Sequence, residues 1–235
     1  MTVQVHRMIL IPSKVGDLVV KGLIFDMDGT LTKPQSYMFK EMREALDIVD
    51  KPIDILTQLE SLPRIQREIA AKRIQDIEHR AMLKMQPQKG VEDLFKFLHE
   101  ETDLKFTICT RNLITPVNYL LDHFLDGIKL HEPIITRSFD PPKPSPKPLL
   151  HISESWGIKP ENLIMIGDSR DDMFAGLRAG CSLVLMRHKD NGHLVEEIPE
   201  IDYIVDDFHQ LIDILQNGFE VKPKVARKMT GFSGY

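Results

Sequence analysis

Through most of the chain, short apolar runs alternate with longer stretches whose apolar residues recur every three or four positions. The short runs are Gly22–Asp26, Lys105–Thr110, Pro133–Thr136, Leu163–Gly167, Ser182–Met186 and Tyr203–Val205. They have the length of strands and are almost unbroken in apolar residues, as strands covered on both faces are. Between them the helical pattern occupies Val91–Glu101, Thr115–Phe124, Pro148–Trp156, Asp172–Ala179 and Phe208–Leu215. Gly157 and Gly180 each follow a helical pattern as stop signals. This alternation predicts an α/β fold, a parallel sheet with crossover helices.

One segment breaks the alternation. From Lys33 to Gln88 no strand pattern occurs, and helices are expected over Tyr37–Val49, Ile53–Leu59 and Arg64–Lys84, with Pro52 and Pro63 as punctuation. In the last of these Ile65, Ile69, Ala70, Ile77 and Met82 approximate a stripe among charged residues, expected to pack on neighbouring elements. The chain therefore divides into an N-terminal extension (1–19), a core in two pieces (20–32 and 89–221), a helical insert (33–88) and a tail (222–235). Met8 to Pro12 is too short and weakly flanked for a signal peptide. An extra strand or a plain extension is expected there in preference to a mitochondrial presequence, because the segment is poor in Ser and Arg. The basic, glycine-containing tail is expected to be loosely held.

Composition narrows the possible partners. Thirty Lys and Arg against 35 Asp and Glu leave a net charge of -5, which argues against a general nucleic-acid binder. A small anionic substrate remains compatible, because a site can be locally positive on an acidic chain. No apolar stretch approaches bilayer length. Cys109 and Cys181 lie in or beside apolar runs and are expected as buried free thiols, which suits a reducing, cytoplasmic setting. The pattern carries no signal for oligomeric state.

Candidate chemistry gathers where the apolar runs end. Leu23-Ile24-Phe25 runs into Asp26-Met27-Asp28-Gly29-Thr30-Leu31. Strand tips of open α/β sheets are where ligands bind. Residues i and i+2 share a side of a strand, so both carboxylates should face one crevice unless the chain bends before Asp28. Two acids this close repel unless a cation or proton compensates. A simple polar turn at Asp28-Gly29 is the competing reading. Three further segments follow in order: Leu104 to Thr110, an apolar run ending in a hydroxyl; Lys143-Pro144-Ser145-Pro146; and Leu163 to Asp172, ending in Gly167-Asp168 with another acid, Asp172, four residues on.

Together these four segments resemble the motifs of the haloacid dehalogenase-like superfamily, from about Val20 to about Leu215. The helical insert is similar to the small cap of its phosphoglycolate phosphatase and β-phosphoglucomutase branch. The resemblance implies a Rossmann-like core with an α-helical cap and Mg²⁺-dependent hydrolysis of a small phosphorylated metabolite. It implies Asp26 as nucleophile forming an aspartyl-phosphate, and Asp28 as general acid/base. Thr110 and Lys143 would contact phosphate, and Asp172 would hold Lys143 or a metal-bound water. Mg²⁺ would be held by the Asp26 side chain, the Asp28 carbonyl and the Asp168 side chain. Lys147 competes with Lys143, but it would lie at a helix start, where positive charge opposes the dipole. Arg111 and Asn112 are candidate substrate contacts, because they follow Thr110 in a loop at the same edge. Asp171 is expected as a solvated helix-start acid, Trp156 as helix packing, and His188 and His193 as surface residues. A phosphosugar mutase with the same aspartates and a non-catalytic binding protein are the alternative functions.

Overall fold

The computed structural model describes residues 6–222 except positions 13, 15, 50 and 52. The tail beyond Lys222, and with it the expectation of a loosely held extension, lies outside the described residues. Five parallel strands form the main sheet: β3 (Gly22–Phe25), β4 (Lys105–Ile108), β5 (Leu163–Gly167), β6 (Ser182–Met186) and β7 (Tyr203–Val205), in the order β4-β3-β5-β6-β7. Side chains alternate across this sheet. Leu23 and Phe25 therefore enter one layer, where Phe25 meets the rings of Phe95 and Phe208 at 5.5 and 6.1 Å. Ile24 enters the other, with Met165, Leu149 and Trp156. Helices α4 (Val91–Glu101), α5 (Ile114–Phe124) and α9 (Phe208–Asn217) cover the first layer; α6 (Lys147–Trp156), α7 (Arg170–Ala179) and the short α8 (Leu194–Glu197) cover the second. The fold is α/β with a parallel sheet at its core.

Register sets up the site. Phe25 pairs with Ile108 on one side and Ile166 on the other, so the chains leaving β3, β4 and β5 emerge side by side. Asp26, Cys109–Thr110 and Gly167–Asp168 follow directly at that common edge.

The helical insert has a core of its own. Helices α1 (Ser36–Ala45), α2 (Ile55–Ser61) and α3 (Arg64–Leu83) enclose Met38, Met42, Leu46, Ile48, Ile74 and Ile77. Its two chain crossings lie together: Lys33 N–H donates to the Gln86 carbonyl and Gln88 N–H to the Leu31 carbonyl, both at 2.9 Å.

Three details depart from the pattern read along the sequence. The stripe on α3 is Ala70, Ile74, Ile77 and Ala81, while Ile65 is 73% exposed. A ten-residue α1 spans about 15 Å against about 30 Å for the twenty-residue α3, so it covers only half of it. The run Pro133–Thr136 reduces to one bridge between Ile135 and Cys109, since Pro133 has no N–H to continue a ladder. The N-terminal extension carries the extra strand expected there, and the departure lies in the partners that strand finds. β1 (His6–Ile9) pairs with β2 (Leu18–Val19) and with β8 (Phe219–Val221), a strand absent from the pattern, in a separate three-stranded sheet.

Candidate active site

Lys143 is the centre of the strand-tip edge. Its ammonium donates to Asp26 Oδ1 at 2.7 Å, to Asp172 Oδ1 at 2.5 Å and to the Cys109 carbonyl at 2.6 Å. Its side chain is 2% exposed, and Lys147, at the start of α6, is exposed. Burial alone would lower the Lys143 pKa; the two carboxylates, Asp172 ahead of Asp26, more than reverse this and hold it charged. Asp172 is fixed from its other oxygen as well. Ser169 donates its N–H and hydroxyl to Asp172 Oδ2 at 3.0 and 2.5 Å while capping α7 reciprocally. This cap requires the chain to pass very close: a Cβ at Gly167 would lie 2.4 Å from Asp172 Cβ.

The chain does turn after Asp26, since Met27 is buried and Gly29 has φ +88°. Asp28 nonetheless lines the same cavity as Asp26. Asn112 Nδ2 donates to Asp28 Oδ2 at 2.9 Å, and the Asn112 N–H donates to Thr110 Oγ1 at 3.0 Å. Burial raises the Asp28 carboxyl to about 6, with the Asn112 hydrogen bond opposing. Asp26 is raised well above the ordinary aspartate value, by burial first and then by the charge of Asp172. Asp168 is raised by burial too. The Cys109 thiol is pushed up to about 12 by burial, which keeps it neutral and non-nucleophilic, and Cys109 and Cys181 are both buried.

Four carboxylates thus converge on one lysine. Oxygens of Asp26, Asp168 and Asp172 lie within 4.8 Å of one another. Gly29 lies under Asp168 so closely that a Cβ there would be 2.1 Å from its Oδ2. A buried all-oxygen donor set with surplus negative charge fits a hard divalent cation such as Mg²⁺.

Two residues read as solvated stand elsewhere in the structure. His188 Nε2 lies 2.9 Å from Asp168 Oδ2, while its Nδ1 accepts the Asp190 N–H at 3.2 Å. That acceptor role puts the proton on Nε2, so His188 orients Asp168. Asn191, which no sequence signal picked out, donates to the Asp168 carbonyl at 2.8 Å. Asp171 lies in the first turn of α7 as expected, but it is paired and only partly open to solvent. It accepts Arg111 Nη1 at 2.7 Å, and Arg111 Nη2 reaches Asp54 of the cap at 2.5 Å. A second bridge joins Arg137 to Glu78 of α3. These cap acids and Arg137 went unnoticed because only the fold brings them to the site. Trp156 packs in the core as expected, its indole N–H donating to the Glu132 carbonyl at 2.7 Å.

The family model described as haloacid dehalogenase-like hydrolase matches residues 20–180. The chain is a haloacid dehalogenase-like hydrolase. An uncharacterised hydrolase of Saccharomyces cerevisiae is 42% identical over 201 residues, covering 84% of this chain and 92% of its own. The pyrophosphatase PpaX of Halalkalibacterium halodurans is 24% identical over 215 residues, covering 83% and 97% respectively. The crystal structure of a predicted phosphoglycolate phosphatase from Haemophilus somnus superposes with a TM-score of 0.67 at 19% identity, covering 84% of this hydrolase and 98% of that chain. The inserted helical cap of this hydrolase is consistent with such structures. Among the described residues no helix is long and apolar enough to cross a membrane.

Proposed function

We propose that this hydrolase is a Mg²⁺-dependent phosphomonoesterase that works through an aspartyl-phosphate on Asp26. The observation that carries the reading is the placement of Lys143 between Asp26 and Asp172, with Asp28 held beside them by Asn112. Phosphoryl transfer is catalysed chiefly by positioning and charge neutralisation. In this reading Asp26 attacks phosphorus as the bond to the leaving oxygen breaks, and Asp28 gives that oxygen its proton. Asp28 then takes a proton from water as the water attacks the aspartyl-phosphate, freeing inorganic phosphate and restoring Asp26. A carboxyl near 6 can serve both steps close to neutral pH. Thr110 Oγ1 already accepts the Asn112 N–H, which leaves its own O–H to donate to a phosphoryl oxygen. Lys143 neutralises negative charge as it is redistributed.

Asp26, Asp168 and the Asp28 carbonyl would hold Mg²⁺, which when bound offsets the charge of the phosphoryl oxygens. The Halalkalibacterium relative is named a pyrophosphatase, which supports hydrolysis at phosphorus. Purified protein should release inorganic phosphate from members of a phosphorylated-metabolite panel with Mg²⁺, and chelation should stop it. Asp26→Asn should reduce release to background with the fold intact. Release that persists in rigorously purified Asp26→Asn protein would sink the covalent mechanism.

A further inference from the structure

Beyond the strand-tip carboxylates the cavity extends to about 410 Å³, and the cap forms its far wall. That wall is apolar at Met38, Phe39 and Met42 of α1 and at Ile55 and Leu56 of α2. The cations that reach the cavity are already engaged. Arg111 binds Asp171 and Asp54, and Arg137 binds Glu78 while its Nε donates to the Arg111 carbonyl at 3.0 Å. Three carboxylates, Asp54, Glu78 and Asp171, stand against three guanidinium groups, since Arg43 also lines the cavity. Arg43 is tied to the cap's own backbone, donating to the carbonyls of Ile53 and Lys51.

We infer that the leaving group is an uncharged alcohol with an apolar face, and that a phosphate ester carrying a second anion is discriminated against. This rests on the phosphomonoesterase reading and narrows it. A carboxylate or second phosphate in the leaving-group space would find every guanidinium already engaged. To gain one it would have to displace Asp54, Asp171 or buried Glu78 and leave that acid unpaired, or break the bonds of Arg43 to the Ile53 and Lys51 carbonyls. An uncharged alcohol displaces none of them and gains by covering Phe39, Ile55 and Leu56, which are still partly open. Specificity thus comes from the cost of broken pairings as well as from an attraction.

The test compares benzyl phosphate with phosphoglycolate, both alkyl monoesters, on the full chain with Mg²⁺. Wild type should favour benzyl phosphate by about tenfold or more in kcat/KM. Phe39 is 48% exposed, so a long charged side chain fits there. Phe39→Arg should shift the ratio toward phosphoglycolate by about tenfold, and Leu56→Ala should weaken benzyl phosphate alone. Calorimetric binding of both esters to Asp26→Asn with Mg²⁺ reports the same preference without turnover. Equal or tighter binding of phosphoglycolate there, or its preference by wild type, overturns the inference while the phosphatase reading stands. If no ester turns over above the Asp26→Asn blank, the phosphatase reading fails. The binding preference then still decides what the cavity accepts.

Discussion

Replacing Lys143 with methionine keeps the length of the side chain and removes the one protein cation between Asp26 and Asp172. Both partner carboxylates are almost fully enclosed, the Asp172 side chain being 1% exposed, so water cannot take over the lost pairing. Removing one member of a buried ion pair costs about 3–5 kcal/mol. In a chain of this size that corresponds to a fall in melting temperature of roughly 6–20 °C. Part of the loss is recoverable, because Asp26 already stands well above the ordinary aspartate value and can take up a proton. Acids raised in the folded state favour it while they are protonated, and that stability is lost as pH rises through their folded pKa. The metal-free variant should therefore be nearer wild type at pH 5 than at pH 8. Turnover should fall by about two to three orders of magnitude, the scale for losing one preorganised electrostatic contact. Lys147→Met, at an exposed helix start, should stay within about 0.5 kcal/mol of wild type and remain active. The assay is thermal unfolding in EDTA at both pH values, with phosphate release measured in Mg²⁺. A metal-free Lys143→Met protein melting within about 2 °C of wild type at pH 8 would refute the energetic argument, which takes the pair to be strongly coupled.

Other perturbations follow from the same geometry. His188→Ala should weaken Mg²⁺ affinity by about 10–100-fold, measured by calorimetry, because Asp168 loses the N–H that orients it; unchanged affinity would assign His188 a packing role only. In metal-free protein, Asp28→Asn should gain stability relative to wild type as pH rises through about 6, since the raised acid favours the fold only while protonated; a pH-independent difference in urea midpoints would contradict this. Arg111→Ala removes a link from the cap to the core, and should increase protease cleavage within residues 33–88 while leaving the sheet protected from hydrogen exchange. Equal cleavage of the two proteins would deny Arg111 any hold on the cap.

Much of the fold was legible because its causes are local. Runs such as Leu163–Gly167 are apolar on both faces, so length and continuity alone mark them as interior strands. The helical insert declared itself by 56 consecutive positions, 33–88, without a strand pattern. β1 and β8 were harder. Their pairing joins residues over two hundred positions apart, and β8 is three residues long, too short to show a period.

The site divides along the same line. Asp26, Thr110 and Asp168 were readable because each follows the end of an apolar run, and parallel register then brings the ends of β3, β4 and β5 together. Asp172 was readable through its four-residue spacing from Asp168. His188 follows β6 by two residues at that same edge, so its position carried the signal that its residue type alone did not. Asp54, Glu78 and Arg137 had no such marker. An acid on a cap helix and an arginine in a core loop look like any solvated charges until the cap lies over the sheet edge, 59 residues separating Glu78 from Arg137. The half of the site around Lys143 is thus built from strand ends that local pattern reveals. The half beneath the cap is built from pairings between core and cap, which only the folded chain creates. In the proposed reading substrate choice belongs to the second half, so a family likeness strong enough to name the hydrolase does not transfer the substrate of any relative to it.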